Sequence, residues 1–216
     1  MFPLSFRMPV AAAIACLALT SLTACSHAMN DTVKPEYRTR PQPEQAYRIA
    51  VEIGNPPGEF KDIRAVAQYD VDNVECLPPP DANGGGYSSP VPTRSLPFEL
   101  VPDGDGRWQG EIFADAMLDE DYHGRGVCHW ALKNVQIQLK ATGAEAESLF
   151  MADLYGEQVL RGDSKRLHYS RNSYPRHPQS TLSNAPVSGQ PDRSRMATLE
   201  DGDIFTITIS ATEETP

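Results

Sequence analysis

Val127-Cys128-His129-Trp130-Ala131-Leu132-Lys133-Asn134-Val135-Gln136-Ile137-Gln138-Leu139-Lys140-Ala141 places apolar residues at every second position in two successive runs. A period of two is the mark of a strand with one buried face. The buried parity changes partway. Cys128, Trp130 and Leu132 fall on even positions, whereas Val135, Ile137 and Leu139 fall on odd ones. One strand can reverse its faces only by absorbing an extra residue, so a β-bulge is expected near Lys133.

The same alternation recurs on both sides of this stretch. Tyr47, Ile49, Val51 and Ile53 share one face, with Arg48 and Glu52 on the other. After the turn cluster Gly54-Asn55-Pro56-Pro57-Gly58 come Ile63, Ala65, Ala67 and Tyr69, interleaved with Arg64 and Gln68. A long Pro/Gly loop follows over residues 78–92, with Gly84-Gly85-Gly86 inside it. Residues 96–101 and 107–114 read as a hairpin joined by Pro102-Asp103-Gly104-Asp105-Gly106, whose Asp-Gly pairs suit the positive φ angles of tight turns. Further strands are expected at 149–155, 165–169 and 204–209, and no stretch has sustained helical periodicity. Seven or more short strands predict an all-β fold, an antiparallel β-sandwich occupying residues 46–212 as a single domain. An immunoglobulin-like arrangement is one form this can take, although here the Trp follows the second cysteine instead of lying between the two.

The chain starts with one positive charge, Arg7, an apolar run over 10–19, and the small residues Thr20-Ser21-Leu22-Thr23-Ala24 before Cys25. Charged, apolar, then small is the order of a secretory signal, and the run is about half of the roughly 20 residues needed to span a bilayer. Leu22-Thr23-Ala24-Cys25 resembles the lipobox of bacterial lipoproteins. The resemblance implies that residues 1–24 are a removable signal and that Cys25 carries a diacylglycerol and further acyl chains. Each buried CH₂ of such chains contributes about 0.8 kcal/mol, and two or more chains anchor a protein stably. Ser26 after the cysteine, by the same resemblance, implies sorting to the periplasmic face of the outer membrane.

Of the four cysteines, Cys16 would leave with the signal and Cys25 would be acylated. Cys76 and Cys128 remain, and a single pair in an exported protein is expected to form an inter-strand disulfide. Closing a loop of about 50 residues contributes on the order of 4 kcal/mol in the chain-entropy model. Residues 25–45, with Pro35, Pro41 and Pro43, read as a lipidated extended tether. A second polar stretch, about 170–195, reads as a disordered excursion, because it carries too little apolar surface to offset ordering entropy.

Without residues 1–24 the chain loses Arg7 alone, leaving 18 basic against 29 acidic side chains. Such a balance repels nucleic acid and anionic lipid surfaces and suits a basic protein partner. The Gly-x-Ser-x-Gly elbow, the His-Glu-x-x-His zinc helix, the phosphate loop and the dinucleotide fingerprint are all missing, so no enzyme, catalytic residue or cofactor is expected. Asp103-Gly104-Asp105-Gly106 is a weak match to a calcium loop, since Ala114 stands where a bidentate Glu would be needed. A triad from Asp153, His168 and Ser164 or Ser170 would require convergence that spacing alone does not supply.

The densest candidate is the loop at 115–126, with Asp115, Asp119, Glu120, Asp121, Tyr122, His123 and Arg125. It reads as a solvated loop, as a partner-binding loop in which Asp119, Glu120 and Asp121 steer encounter while Tyr122 and His123 make contact, or as a metal site. The run from Asp119 to Trp130 (Asp-Glu-Asp-Tyr-His-Gly-Arg-Gly-Val-Cys-His-Trp) resembles one in small proteobacterial lipoproteins, some of which are immunity proteins that neutralise secreted antibacterial toxins. That resemblance covers about residues 45–160. It implies a lipid-anchored periplasmic inhibitor of a basic toxin. A structural envelope lipoprotein contacting peptidoglycan or an assembly machine, and a hydrolase, are the alternatives.

Overall fold

A computed structural model describes residues 35–79, 91–176 and 186–214, with the backbone alone at 81–83 and 86–88. The expected signal, the lipobox with Cys25 and the first part of the tether lie outside the described residues, as do Gly84, Gly85 and residues 177–185.

The strands are β1 (Ala46–Gly54), β2 (Asp62–Val71), β3 (Asp81–Asn83), β4 (Gly86–Ser88), β5 (Thr93–Phe98), β6 (Val101–Pro102) and β7 (Arg107–Phe113). Then follow β8 (Trp130–Lys140), β9 (Leu149–Tyr155), the five-residue helix α1 (Gly156–Leu160), β10 (Ser164–Ser170), β11 (Pro186–Ser188) and β12 (Ile204–Glu213). Two five-stranded sheets, β10-β12-β1-β7-β6 and β11-β9-β8-β2-β5, face each other as a sandwich, and β3 and β4 form a small separate ribbon. Every pairing is antiparallel except β11 beside β9. Among the described residues no helix is long and apolar enough to cross a membrane.

The alternation read in the sequence lines the space between the sheets. Ile49, Val51, Ile207 and Ile209 from one sheet meet Val135, Ile137, Leu139 and Leu154 from the other, all essentially without solvent contact. Two tyrosines span this core in opposite directions. Tyr69 on β2 donates its hydroxyl to the Phe113 carbonyl at 2.7 Å, and Tyr169 on β10 donates to the Met151 carbonyl at 2.6 Å. Burial pushes both phenols well above their ordinary range, so each remains a donor at every physiological pH.

The expected bulge is present. Gln68 pairs with Asn134 and Tyr69 with Leu132, leaving Lys133 as the extra residue that reverses the buried parity of β8. The expected hairpin at 96–114 is corrected. Residues 93–98 pair with β2, whereas Val101 and Pro102 pair with β7 in the opposite sheet, so the chain changes sheets at Glu99 and Leu100. Gly110 on β7 permits this crossing, because a Cβ there would run into the Glu99 carbonyl oxygen. The turn after it has Gly104 and Gly106 at φ 99° and 68°, as its Asp-Gly pairs predict. Pro97 lies on the edge strand β5, where a missing N–H breaks no interior ladder.

Two boundaries also change. The segment at 35–45 is no loose tether, for it lies against the sandwich with Tyr37 only 9% exposed. The compact body therefore starts at Pro35 and not at residue 46. The described flanks of the expected excursion at 170–195 are ordered as well. Tyr174 packs on Phe60 with ring centroids 5.2 Å apart, β11 adds to β9, and Arg193 donates to the Met196 and Leu199 carbonyls.

Candidate functional site

The loop between β7 and β8 holds the residues singled out above, and the incoming segment at 35–45 runs beside it. Arg40 N–H donates to the Ala116 carbonyl at 2.8 Å, Leu118 N–H donates to the Arg38 carbonyl at 2.9 Å, and Thr39 forms an antiparallel bridge with Met117. Met117 turns inward and is buried. The loop is thus stitched to a strap that arrives from more than 70 residues away in sequence.

Its carboxylates are occupied within the domain. Asp115 accepts from the Glu44 and Gln45 backbone N–H groups and lies 3.5 Å from Arg40 Nε. Asp119 receives the Trp130 backbone N–H and lies 2.9 Å from His129 Nδ1. Glu120 takes Arg38 Nη2 on both oxygens at 2.5 and 2.6 Å, while its carbonyl accepts the Cys128 N–H. Asp121 accepts the His123 and Arg125 backbone N–H groups. Self-repulsion of these acids is therefore relieved by hydrogen bonding inside the fold.

Asp121 also leaves a measurable trace in pH. Desolvation alone would raise its carboxyl, but N–H groups of Arg125, Gly126, His123 and Gly124 outweigh that and hold it below the usual carboxylate range. A carboxyl depressed on folding contributes fully above its unfolded value of about 4, and the contribution fades as pH falls through the depressed folded value. The protection factor of the Arg125 amide, its slowing relative to the intrinsic exchange rate at each pH, is accordingly expected to fall in that acid window. Asp121→Asn, whose amide does not titrate, should lose the step, and a wild-type protection factor that stays constant through that window would contradict this account. Gly124 and Gly126, at φ 66° and 103°, give the turn the left-handed positions it needs.

Aromatic rings close the site from within. Tyr37 meets Tyr122 and Trp130 edge to face, with centroids 5.0 and 5.1 Å away, and its hydroxyl lies 3.3 Å from His123 Nε2. Burial and the neighbouring Tyr122 raise the Tyr37 phenol above its ordinary value. Tyr122 accepts the Arg38 N–H and donates to the Leu118 carbonyl at 2.8 Å. Trp130 Nε1 is buried with no acceptor among the described residues. Beneath Tyr122 and Trp130 lies the Cys76–Cys128 disulfide, nearly inaccessible, packed with Val71 and Leu77. It joins the turn just past β2 to the segment just ahead of β8, so it staples neighbours of one sheet and does not cross the core. Asn73 reinforces the staple by donating to the Val127 carbonyl and accepting the His129 N–H.

What this end exposes is more apolar than its sequence suggests. Val74 and Val127, flanking the disulfide, are 57% and 44% exposed. Sequence reasoning missed Tyr37, Arg38, Asn73 and Val74; the signal for the first was a lone aromatic in a Pro-rich polar segment. The residues of the imagined triad are engaged separately, Asp153 with Lys165 Nζ at 3.2 Å and His168 Nδ1 with the Gln190 carbonyl at 2.9 Å.

The class these features define is a disulfide-stapled β-sandwich with a self-fastened loop platform at one end. No protein-family model, no curated protein and no solved structure matches the chain.

Proposed function

We propose that this chain is a membrane-anchored, non-catalytic binding protein of the bacterial envelope, which meets a protein partner with the platform formed by residues 72–76 and 119–130. The observation that carries this reading is the degree to which the platform is already ordered. Its carboxylates, aromatic rings and backbone are held by Arg38, Asn73, His129 and the disulfide, so little conformational freedom remains to be lost on association. Exposed Val74 and Val127 beside half-buried Tyr122 and Trp130 supply the apolar centre that interface hot spots need, with charged groups around them. In its sharper form the protein is an immunity-type inhibitor. The lipobox resemblance would place it where incoming toxins arrive, and the acidic balance suits a basic, wall-degrading one.

The platform also dictates which variants test the reading. Removing Asp119 or Glu120 would unfasten the loop, so loss of binding would say nothing about contact. Val74→Asp and Val127→Asp leave the internal hydrogen bonds in place. In pull-downs from envelope extract, each change is expected to weaken capture of the partner roughly tenfold or more, as loss of an interface anchor does. Thermal stability should be unaltered. Undiminished capture by the double variant would eliminate the platform as the contact surface.

A further inference from the structure

On the outer face of the second sheet, away from the platform, lies a cleft of about 410 Å³ lined by Asp62, Arg64, Gln138, Lys140, Gly143, Glu145 and Leu149. Its floor comes from the cross-strand pairs Asp62–Lys140 and Arg64–Gln138 of β2 and β8. Its rim is the tight connection from β8 to β9. That rim is held from below, because the Glu147 carboxylate accepts the Thr142 and Gly143 N–H groups and the Thr142 hydroxyl, and Lys140 Nζ donates to the Ala144 carbonyl at 2.6 Å. Gly143 has φ 94°, a conformation that favours glycine, and a Cβ there would press on Asp62 Oδ2 at 3.0 Å. The rim of the cleft is therefore shaped by built-in hydrogen bonds.

The polar groups facing into it are arranged in a way that selects a ligand class. Asp62 Oδ1 holds Arg64 by Nε at 2.9 Å, which orients the guanidinium and leaves its terminal nitrogens without a partner among the described residues. A guanidinium anchored through Nε and presenting its terminal fork is suited to bidentate recognition of a carboxylate. Gln138 donates one amide N–H to Gln136 Oε1, at 2.7 Å, which fixes its amide and offers its own oxygen as an acceptor, and Glu145 at the rim is a second acceptor. Leu149 gives one apolar wall. The lining carries two positive and two negative groups, Arg64 and Lys140 against Asp62 and Glu145. A simple anion would be repelled by both acids and a polyamine by both cations. A dipolar molecule is favoured at both ends.

We propose that this cleft binds a small zwitterion of the amino-acid or dipeptide kind. Its carboxylate lies on the Arg64 fork, its ammonium between Glu145 and the Gln138 oxygen, and a short aliphatic side chain against Leu149. The site is independent of the platform, and either can fail without the other.

The test is titration calorimetry of the full chain with alanine and with alanyl-alanine, alongside the N-acetylated and C-terminally amidated forms of the dipeptide. Binding of at least one uncapped probe is expected, with each cap weakening it roughly tenfold, the usual scale for a charge-assisted pair. Arg64→Ala should weaken the free-acid probe to the level of the amide and leave the amide unchanged. Glu145→Gln should do the same for the ammonium end against the acetylated probe. Both side chains are exposed, so both variants are expected to melt with the wild type. The proposal is overturned if neither uncapped probe binds below about 10 mM, or if capped and uncapped forms bind equally.

Discussion

Phe150→Ala is expected to cost about 3–5 kcal/mol of unfolding free energy, the range for removing a fully buried aromatic ring. Phe150 has no solvent exposure and sits on β9 against four other rings: Phe205 at 5.3 Å, Phe60 at 5.6 Å, Tyr169 at 5.8 Å and Tyr174 at 6.5 Å between centroids. These rings come from the facing sheet, on β10 and β12, and from two connecting segments, so no single element can move to fill the hole. Edge-to-face pairs of this kind add about 0.5–1.5 kcal/mol beyond the buried area. Urea unfolding gives the measurement, with a fall in melting temperature on the order of 10 °C. The turn carrying Tyr174, whose neighbour Pro175 accepts the Ser148 N–H, should become susceptible to protease before the sandwich does. Phe150→Leu, which refills most of the volume, should recover more than half of the loss. A cost below about 1 kcal/mol for the alanine variant would contradict the packing of β9 between the sheets.

The elements on which that packing depends were legible in the sequence for a definite reason. A strand buried on one face writes a period of two, and β1, β2, β8, β9 and β12 each carry one. The bulge at Lys133 was legible by the same logic, since a change of parity has few physical solutions. The change of sheet at Glu99 and Leu100 was not. Alternation survives when a chain leaves one sheet for another, and only Gly110, distant in sequence, records that a backbone passes over it. The strap at 35–45 was hidden because its stability is non-local. Arg38, Tyr37 and Arg40 find their partners 75 to 86 positions away, at Glu120, His123 and Asp115. The internal partners of the acidic loop were hidden in the same way. Composition counts carboxylates but not the Arg38, His129 and backbone N–H groups that meet them, so a cluster that looked ready for a partner's charge is mostly committed to its own fold. The cleft proposed for a zwitterion left even less trace, since Arg64 and Gln138 are ordinary outward residues until the pairing of β2 with β8 sets them side by side, and Glu145 comes from the connection between β8 and β9.

Replacing both Cys76 and Cys128 by Ala is expected to lower stability by about 4 kcal/mol, because the bridge closes a loop of 52 residues in the unfolded chain. For a domain whose total is typically about 5–15 kcal/mol, that removes between about a quarter and most of the stability. The double change is cleaner than a single Cys→Ser, which would leave a thiol and a hydroxyl in the pocket lined by Val71 and Leu77. Two consequences can be separated. The global loss is entropic in origin and should appear as a lower urea midpoint with a steeper slope, because the unfolded chain without the bridge is less compact. The local loss should be confined to the platform, where Tyr122 and Trp130 pack on the bridge, and should appear as a change in Trp fluorescence and near-ultraviolet dichroism. The ladder from the Cys128 N–H to Glu120 and the two Asn73 bonds persist without the bridge, so the platform should become mobile and not collapse. A mobile platform must be re-ordered on binding, which costs about 0.5–1.5 kcal/mol for each side chain immobilised. Under the proposed reading, partner affinity therefore falls together with stability in the double variant, whereas Val74→Asp and Val127→Asp lower affinity alone. A disulfide-free protein that loses stability yet binds as tightly as the wild type would break the link between preorganisation and recognition on which that reading stands.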